Sequence, residues 1–566
     1  MAIARQAKPL HELLLEQGVI GKEQLQKAQA EAAKTGVPLK RFLVQKGLMS
    51  EPELVALIAA QSGVTSVDLG SYLIKPEVVQ LVPESVARKY LLIPVFKIGD
   101  SLTVAIEDPL NFFAIDEVRL KTKCDIKTVV AGETSIRQAI DQYYGASGTV
   151  AEVAEAIEAA ALPQKDEEAA EEAPVIRLVN LLIMQAMKEQ ASDIHIEPGD
   201  AALRTRFRVD GVLREIAGPP AHLHSAVVSR IKVLSKLDIA EKRKPQDGRF
   251  RLKMEGKDID LRVSVVPTQF GEKVVMRLLD SKSAVLSLKQ LGLEDALRET
   301  FERLIRSPHG ILLVTGPTGS GKTTTLYAAM HLINATSINI MTIEDPVEYQ
   351  LAGINQVQVN PKADVTFASA LRSFLRQDPN VIMVGEIRDR ETVEIAVQAA
   401  LTGHLVFSTL HTNDAPSSLT RLIDMGVEPF LIASSVAGVL AQRLVRVICG
   451  KCKEPYRPEA KVAAEFQLKP EAQLYRGKGC ASCQQSGYKG RVGIYELLLM
   501  TEAIKGLVVT KAPAHAIREA AQRAPSGQTG LPAGQAGLRS LREDGVAKAL
   551  AGITTIEEVL RVTQLE

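Results

Sequence analysis

"ILLVTGPTGSGKTTTLYAAMHLI", residues 311–333, decides the fold of the C-terminal half of this 566-residue chain. The apolar run 311–315 reads as a strand, and the apolar run after Thr324 reads as a helix. Between them Gly316, Pro317, Thr318, Gly319, Ser320, Gly321, Lys322, Thr323 and Thr324 fit G-x-x-x-x-G-K-[ST]. Strand, glycine-rich turn and helix in that order aim backbone N–H groups and the positive end of a helix at an anion. Lys322 then reaches the β/γ-phosphate oxygens and the Thr323 hydroxyl takes Mg²⁺, so ATP is the expected ligand. The fold class expected is α/β, with an open parallel sheet.

Hydrolysis needs carboxylates beside the phosphates, and an open parallel sheet supplies them at the C-terminal ends of its strands. "INIMTIEDPVE" (338–348) is an apolar strand ending in Glu344, Asp345 and Glu348, and "NVIMVGE" (380–386) is another ending in Glu386. Taken singly, each acid fits a helix cap or a solvated loop; two acid-tipped strands beside a phosphate loop point to chemistry. "TGHLVFSTLHT" (402–412) places His404 and His411 at the two ends of a third strand. His411, at the C-terminal end, is placed to donate a hydrogen bond near a γ-phosphate; His404 needs a separate account.

"CGKC" (449–452) and "CASC" (480–483) pair Cys449, Cys452, Cys480 and Cys483 as two knuckles. Four thiolates in paired knuckles suit a closed tetrahedral Zn²⁺ site of the structural kind, with a redox dithiol as the rival. Zinc ribbons also bind nucleic acid, which keeps a nucleic-acid translocase among the readings. Against it stand Lys+Arg 68 against Asp+Glu 67, the lack of tryptophan and the lack of a base-stacking aromatic run. Cys124 stands alone and reads as a small apolar residue.

The length predicts three or four domains. The first 61 residues repeat with an offset of 29: Leu10, Leu13, Leu14, Gly18, Ile20 and Leu25 match Leu39, Phe42, Leu43, Gly47, Met49 and Leu54. Each copy reads as helix, glycine stop, helix, and the two copies bury each other, so residues 1–62 form a helical docking domain. Residues 63–145 read as a small α+β module with a hairpin turning at Gly99-Asp100. Residues 151–174 hold eight acidic residues against one lysine, an acidic linker (146–173) that separates front from back. An α+β domain follows over 174–290, with strands at 203–217 and 258–280. The motor spans 291–445, a metal subdomain 446–495 and a helical subdomain 496–566, the last interrupted by a glycine-rich loop at 524–537. No secretory leader is legible, and the uncharged run Ile395–Asn413 reads as a buried helix and strand, so the expected location is cytoplasmic.

Four blocks, "GPTGSGKT", "TIEDPVE", "LRQDPNVIMVGEIRD" and "TGHLVFSTLHT", resemble the Walker A, Asp, Walker B and His boxes of the secretion ATPase superfamily, whose members drive type II secretion and type IV pilus dynamics. "ASDIHIEP" (191–198), "RFRVDGVLRE" (206–215), "KRKPQDGR" (242–249) and "GYKGRVGIYELL" (487–498) extend the resemblance over about 174–566. "GINQVQVNP" and the Walker B block look most like the pilus-assembly branch, with type II secretion as the near alternative; the cysteine insertion and long N-terminal half argue against the retraction branch. The resemblance implies a RecA-like motor preceded by a PAS-like domain. It implies that Glu348 orients the attacking water, that Glu386 lies near Mg²⁺, and that Arg262, Arg277, Arg372 and Arg376 reach the nucleotide, some from a neighbouring copy. It further implies a homohexamer at the inner-membrane face, working on a membrane-embedded platform protein with a cytoplasmic accessory protein. The N-terminal repeat resembles a tandem motif that binds cyclic di-GMP and begins Arg-Leu-Gly. Here Pro9-Leu10-His11 and Pro38-Leu39-Lys40 stand instead, which favours protein docking.

Overall fold

The computed structural model describes residues 14, 20–35, 38–144, 173–200, 203–254, 256–280, 286–466, 468–469, 471–524 and 537–563. The first helix of the repeat, the acidic stretch 151–172 and the glycine-rich stretch 525–536 lie outside them. The chain forms two compact units, residues 1–282 and 283–566.

In the first unit the repeat builds one core. Leu14 and Leu43, Ile20 and Met49, and Leu25 and Leu54 are the paired positions of the repeat, and all six are buried together. The helix Glu51–Ser62 opens on a capping box, with the Ser50 N–H donating to Glu53 Oε2 at 2.8 Å, and closes on Gly63 at φ +66°. The predicted hairpin is present: strands Leu92–Ile98 and Ser101–Ile106 run antiparallel around Gly99, and Asp125–Val130 adds in parallel.

The second sheet of this unit differs from the expectation. Besides strands in the two regions expected, Ala191–Pro198 and Gln246–Met254 are strands, which the motif blocks there did not suggest. The order is Tyr72–Leu73, Gln246–Met254, Lys257–Thr268, Gly271–Asp280, Ala191–Pro198, Leu203–Val209, Val212–Ile216. Its edge strand comes from the front of the chain: Tyr72 and Leu73 pair in parallel with Lys253 and Met254. Front and back are therefore joined rather than merely tethered. The physical reason is alternation on a strand: Leu73 (1% exposed) fills the core of this sheet, while the next residue, Ile74 (0%), fills the core beneath the hairpin.

The second unit is the expected open sheet, ordered Asn355–Gln358, Ile340–Glu344, Val381–Val384, Leu405–Leu410, Gly310–Thr315, Val436–Ile448, Tyr488–Leu499. All neighbours are parallel except the last pair. Gly310–Thr315, Val381–Val384 and Leu405–Leu410 are buried at every position, as parallel strands covered on both faces require. The C-terminal ends of the six parallel strands thus lie at one edge, where the turn before helix Lys322–Ile333 sits. The cysteine knuckles lie between the two antiparallel strands, Val436–Ile448 and Tyr488–Leu499, so the metal subdomain is an insertion between two strands of the motor sheet. Helices Glu502–Val509, Ala514–Arg523, Leu541–Leu550 and Ile556–Thr563 complete the unit.

Candidate functional site

The phosphate loop packs against the strand Val436–Ile448, and its glycines are required there. Gly316 sits at φ +148°, and a Cβ on it would stand 2.5 Å from the Gln442 carbonyl oxygen; Gly321, at φ +87°, would place one 2.8 Å from Gln442 Nε2. Lys322 is 8% exposed and donates from Nζ to the carbonyls of Gly316 (2.7 Å) and Pro317 (3.2 Å). Burial pulls its ammonium down to about 8; Glu386 opposes that fall and Arg443 adds to it. The Ser320 hydroxyl is buried without a hydrogen-bond partner among the described residues. An orphaned hydroxyl, a lysine resting on loop carbonyls and a helix N-terminus form a donor set that fits the phosphates of a nucleotide.

Glu386 follows the strand Val381–Val384 and is brought to this loop, close enough to act on Lys322. Its carboxylate is held from two sides, by Arg388 Nη2 on Oε1 (2.5 Å) and His411 Nε2 on Oε2 (3.2 Å). Thr409 Oγ1 donates to the Gly385 carbonyl (2.7 Å) and steadies the turn. Thr323 and Glu386 are the residues able to hold Mg²⁺, which supplies charge neutralisation on the phosphates when bound.

The strand Ile340–Glu344 divides its acids. Glu344 is 3% exposed and accepts from the Tyr327 hydroxyl, from Thr342 Oγ1 (2.5 Å) and from Gln356 Nε2 (3.2 Å). It ties the strand end to the helix of the phosphate loop, so its role is an anchor. Burial, reinforced by this carboxylate, raises the Tyr327 hydroxyl above its usual range. Glu348 lies exposed on the following loop, at the same edge of the sheet.

The remaining residues singled out from sequence have partners of their own. His404 stands at the opposite end of its strand, about 20 Å from His411 at the usual rise per residue, and its Nδ1 hydrogen-bonds the Ala399 carbonyl at 2.9 Å. That contact is the separate account His404 called for: it closes the turn between helix Arg390–Leu401 and the strand. Arg372 pairs with Glu391, and Arg376 donates to the Arg372 carbonyl (3.1 Å); both are exposed. Arg262 and Arg277 are cross-strand neighbours in the first unit, and Arg277 Nε donates to Asp193 (2.9 Å).

Two residues escaped the sequence reading. Gln442 (1% exposed) donates from Nε2 to the Ser320 carbonyl at 2.8 Å and accepts from Thr325 Oγ1 at 2.7 Å. Arg443 (8%) donates to the Asn413 carbonyl at 2.8 Å. The signal was a polar pair, Gln442-Arg443, inside the run Val436–Val445, whose other residues carry no polar side chain.

The four cysteines converge as expected. Their sulfurs all lie within 4.8 Å of one another, with Cys449–Cys480 at 3.9 Å, Cys452–Cys483 at 3.8 Å and Cys480–Cys483 at 3.7 Å. A tetrahedral site with Zn–S of about 2.3 Å places sulfurs about 3.8 Å apart, which these three separations match, so the cluster could hold zinc.

Among known proteins, residues 168–561 match the family described as "Type II/IV secretion system protein", and residues 62–150 match the MshEN domain. The type IV pilus assembly ATPase PilB of Myxococcus xanthus is 46% identical, over 97% of this chain and 98% of that one. Type II secretion system protein E of Xanthomonas campestris is 44% identical over 98% of each, and that of Pseudomonas aeruginosa 53% identical over 70% of this chain and 77% of its own. The Legionella pneumophila ATPase DotB is similar in fold, with a TM-score of 0.50 and 21% identity over 68% of this chain and 95% of that one. With a phosphate loop on an open parallel sheet, an acid at its edge and a family match over most of its length, the chain belongs to the type II/IV secretion system ATPase family.

Proposed function

We propose that this ATPase powers type IV pilus assembly as a homohexamer at the cytoplasmic face of the inner membrane, acting on a platform protein there with a cytoplasmic accessory protein. The observation that carries the reading is the similarity to a pilus assembly ATPase along nearly the whole of both chains. Type II secretion is the second reading, favoured by the full-length similarity to the Xanthomonas protein. Among the described residues no helix is long and apolar enough to cross a membrane, so the link to the platform is peripheral in this proposal.

In the proposed cycle Lys322 leaves the Gly316 and Pro317 carbonyls for the β/γ oxygens of ATP, and Thr323 and Glu386 hold Mg²⁺. Glu348 orients the attacking water and takes its proton, while His411, already on Glu386, registers the departing phosphate. Arg262, Arg277, Arg372 and Arg376 stabilise charge on the transferred group, a role worth about 10³–10⁵ in rate. Arg372 and Arg376 are exposed and bound only to their own surroundings among the described residues, which supports delivery to a neighbouring copy. The N-terminal repeat serves protein docking in this reading; calorimetric binding of cyclic di-GMP by the full chain would overturn that part.

The test has two arms. Turnover per chain is measured against oligomeric state: it should rise steeply on assembly, and equal turnover by isolated chains refutes sharing of arginines. In a strain lacking the gene, the wild-type chain should restore surface pili and Glu348→Gln should not, while restored enzyme secretion without pili selects the second reading. Glu348→Gln should bind ATP normally and lose at least about 100-fold in turnover.

A further inference from the structure

A cavity of about 140 Å³ opens in the first unit, where helices Pro76–Val79, Glu133–Tyr144 and Ala173–Lys188 meet. Its polar lining is Gln80, Gln142, Tyr143, Tyr144, Arg177 and Asn180. The two tyrosine hydroxyls are committed elsewhere. Tyr143 donates to the Tyr72 carbonyl (3.0 Å) and accepts from the Ile74 N–H (3.2 Å), and Tyr144 donates to the Val82 carbonyl (2.9 Å). Arg177 and Asn180 are different. They stand three residues apart, on one face of the helix Ala173–Lys188. Asn180 is 7% exposed and lines the cavity beside Arg177. Arg177 is half-buried, and among the described residues no carboxylate acts on it. Burial lowers its pKa, with no neighbouring carboxylate of the described residues to offset the effect.

A half-buried guanidinium with no acidic partner among the described residues, and an amide one turn along the same helix face, give this cavity a lining of hydrogen-bond donors suited to an anion. The opening is wide enough for a phosphate group in place of water. We propose that this cavity binds a small oxyanion of the phosphate class, with Arg177 donating two parallel N–H bonds and Asn180 a third. The site is distinct from the phosphate loop and independent of the pilus assembly reading. Its walls come from the front of the chain and from the helix after residue 172, so an anion there ties the two together by mass action and stabilises the edge strand Tyr72–Leu73 on its sheet.

Hydrogen exchange of the full chain with and without millimolar inorganic phosphate tests this. Peptides covering 76–82 and 137–144 should exchange severalfold more slowly with phosphate, and this protection should vanish in Arg177→Met and in Asn180→Leu. Any protection of the phosphate loop should persist in both variants. Glycerol 3-phosphate in a parallel arm identifies the source: protection by both ligands assigns a phosphate monoester, and by inorganic phosphate alone the free ion. No protection in the wild type, or equal protection in wild type and variants, overturns the proposal. Melting curves check that the variants fold, and should Arg177→Met fail, Asn180→Leu decides alone.

Discussion

Gln442→Leu separates loop geometry from loop sequence, because it leaves every residue of the phosphate loop intact. The leucine is of similar volume but lacks both polar atoms that Gln442 uses, the donor to the Ser320 carbonyl and the acceptor for the Thr325 hydroxyl. Thr325 is 0% exposed and Ser320 is 4% exposed, so water reaches neither group. A buried polar group left without its partner costs about 1–3 kcal/mol, and two such groups cost about 2–6 kcal/mol. That cost divides between global stability and the ordering of the loop on which ATP binding depends. If about half falls on the loop, affinity for a fluorescent ATP analogue drops roughly 10- to 100-fold. Thr325→Val removes only one of the two bonds and should lose less, and the double variant should show a coupling of about 0.5–3 kcal/mol. Nucleotide titration and thermal denaturation of all three variants give the numbers. Binding by Gln442→Leu within twofold of wild type, with an unchanged melting temperature, would refute the claim that this strand holds the loop.

The remaining predictions concern charge and metal. With the free Lys322 ammonium titrating at about 8, ATP affinity should be level below about pH 7 and fall about tenfold between pH 7 and pH 9, since the neutral amine must regain a proton to bind; a flat profile is expected of Lys322→Arg, and one in the wild type removes the argument. Purified wild-type chain should carry one zinc per chain by elemental analysis, and Cys480→Ser should lose it and unfold the knuckle region, because structural zinc contributes about 10–16 kcal/mol to local folding; unchanged zinc content sinks the assignment. Glu558 (2% exposed) is pushed up by burial but pulled further down, to about 2, by Arg561 and Arg446 at 2.8 and 2.7 Å. Its stabilising charge is present above pH 4.5 and is lost as pH falls toward 2. Glu558→Gln should destabilise the second unit by about 3–5 kcal/mol at neutral pH, by leaving Arg446 unpaired, and should flatten the acid arm of its melting profile.

What the sequence alone determined is whatever neighbours along the chain dictate. The strand, turn and helix at 311–333 follow from a local apolar pattern and from glycines at positive φ, and the repeat of residues 1–61 announced its own core because its matched leucines pack together. The cysteine knuckles were legible for a related reason: metal geometry constrains short spacings, and two pairs suffice to name four ligands. Tertiary structure alone decided what depends on contacts between distant segments. That Glu344 is an anchor and Glu386 stands at the loop is set by which of two acids the hydroxyl of Tyr327 captures, and composition treats them alike. That His411 belongs to the site and His404 does not is set by strand direction, since only the C-terminal ends of parallel strands meet at the loop. Gln442 reaches the phosphate loop with its side-chain amide because its strand pairs with Gly310–Thr315, and Tyr72–Leu73 joins a sheet that begins more than a hundred residues later; both strands are placed by hydrogen bonds between backbones far apart in the chain. Such pairings are chosen by the burial of whole faces, and no local pattern of side chains records which distant strand will lie alongside.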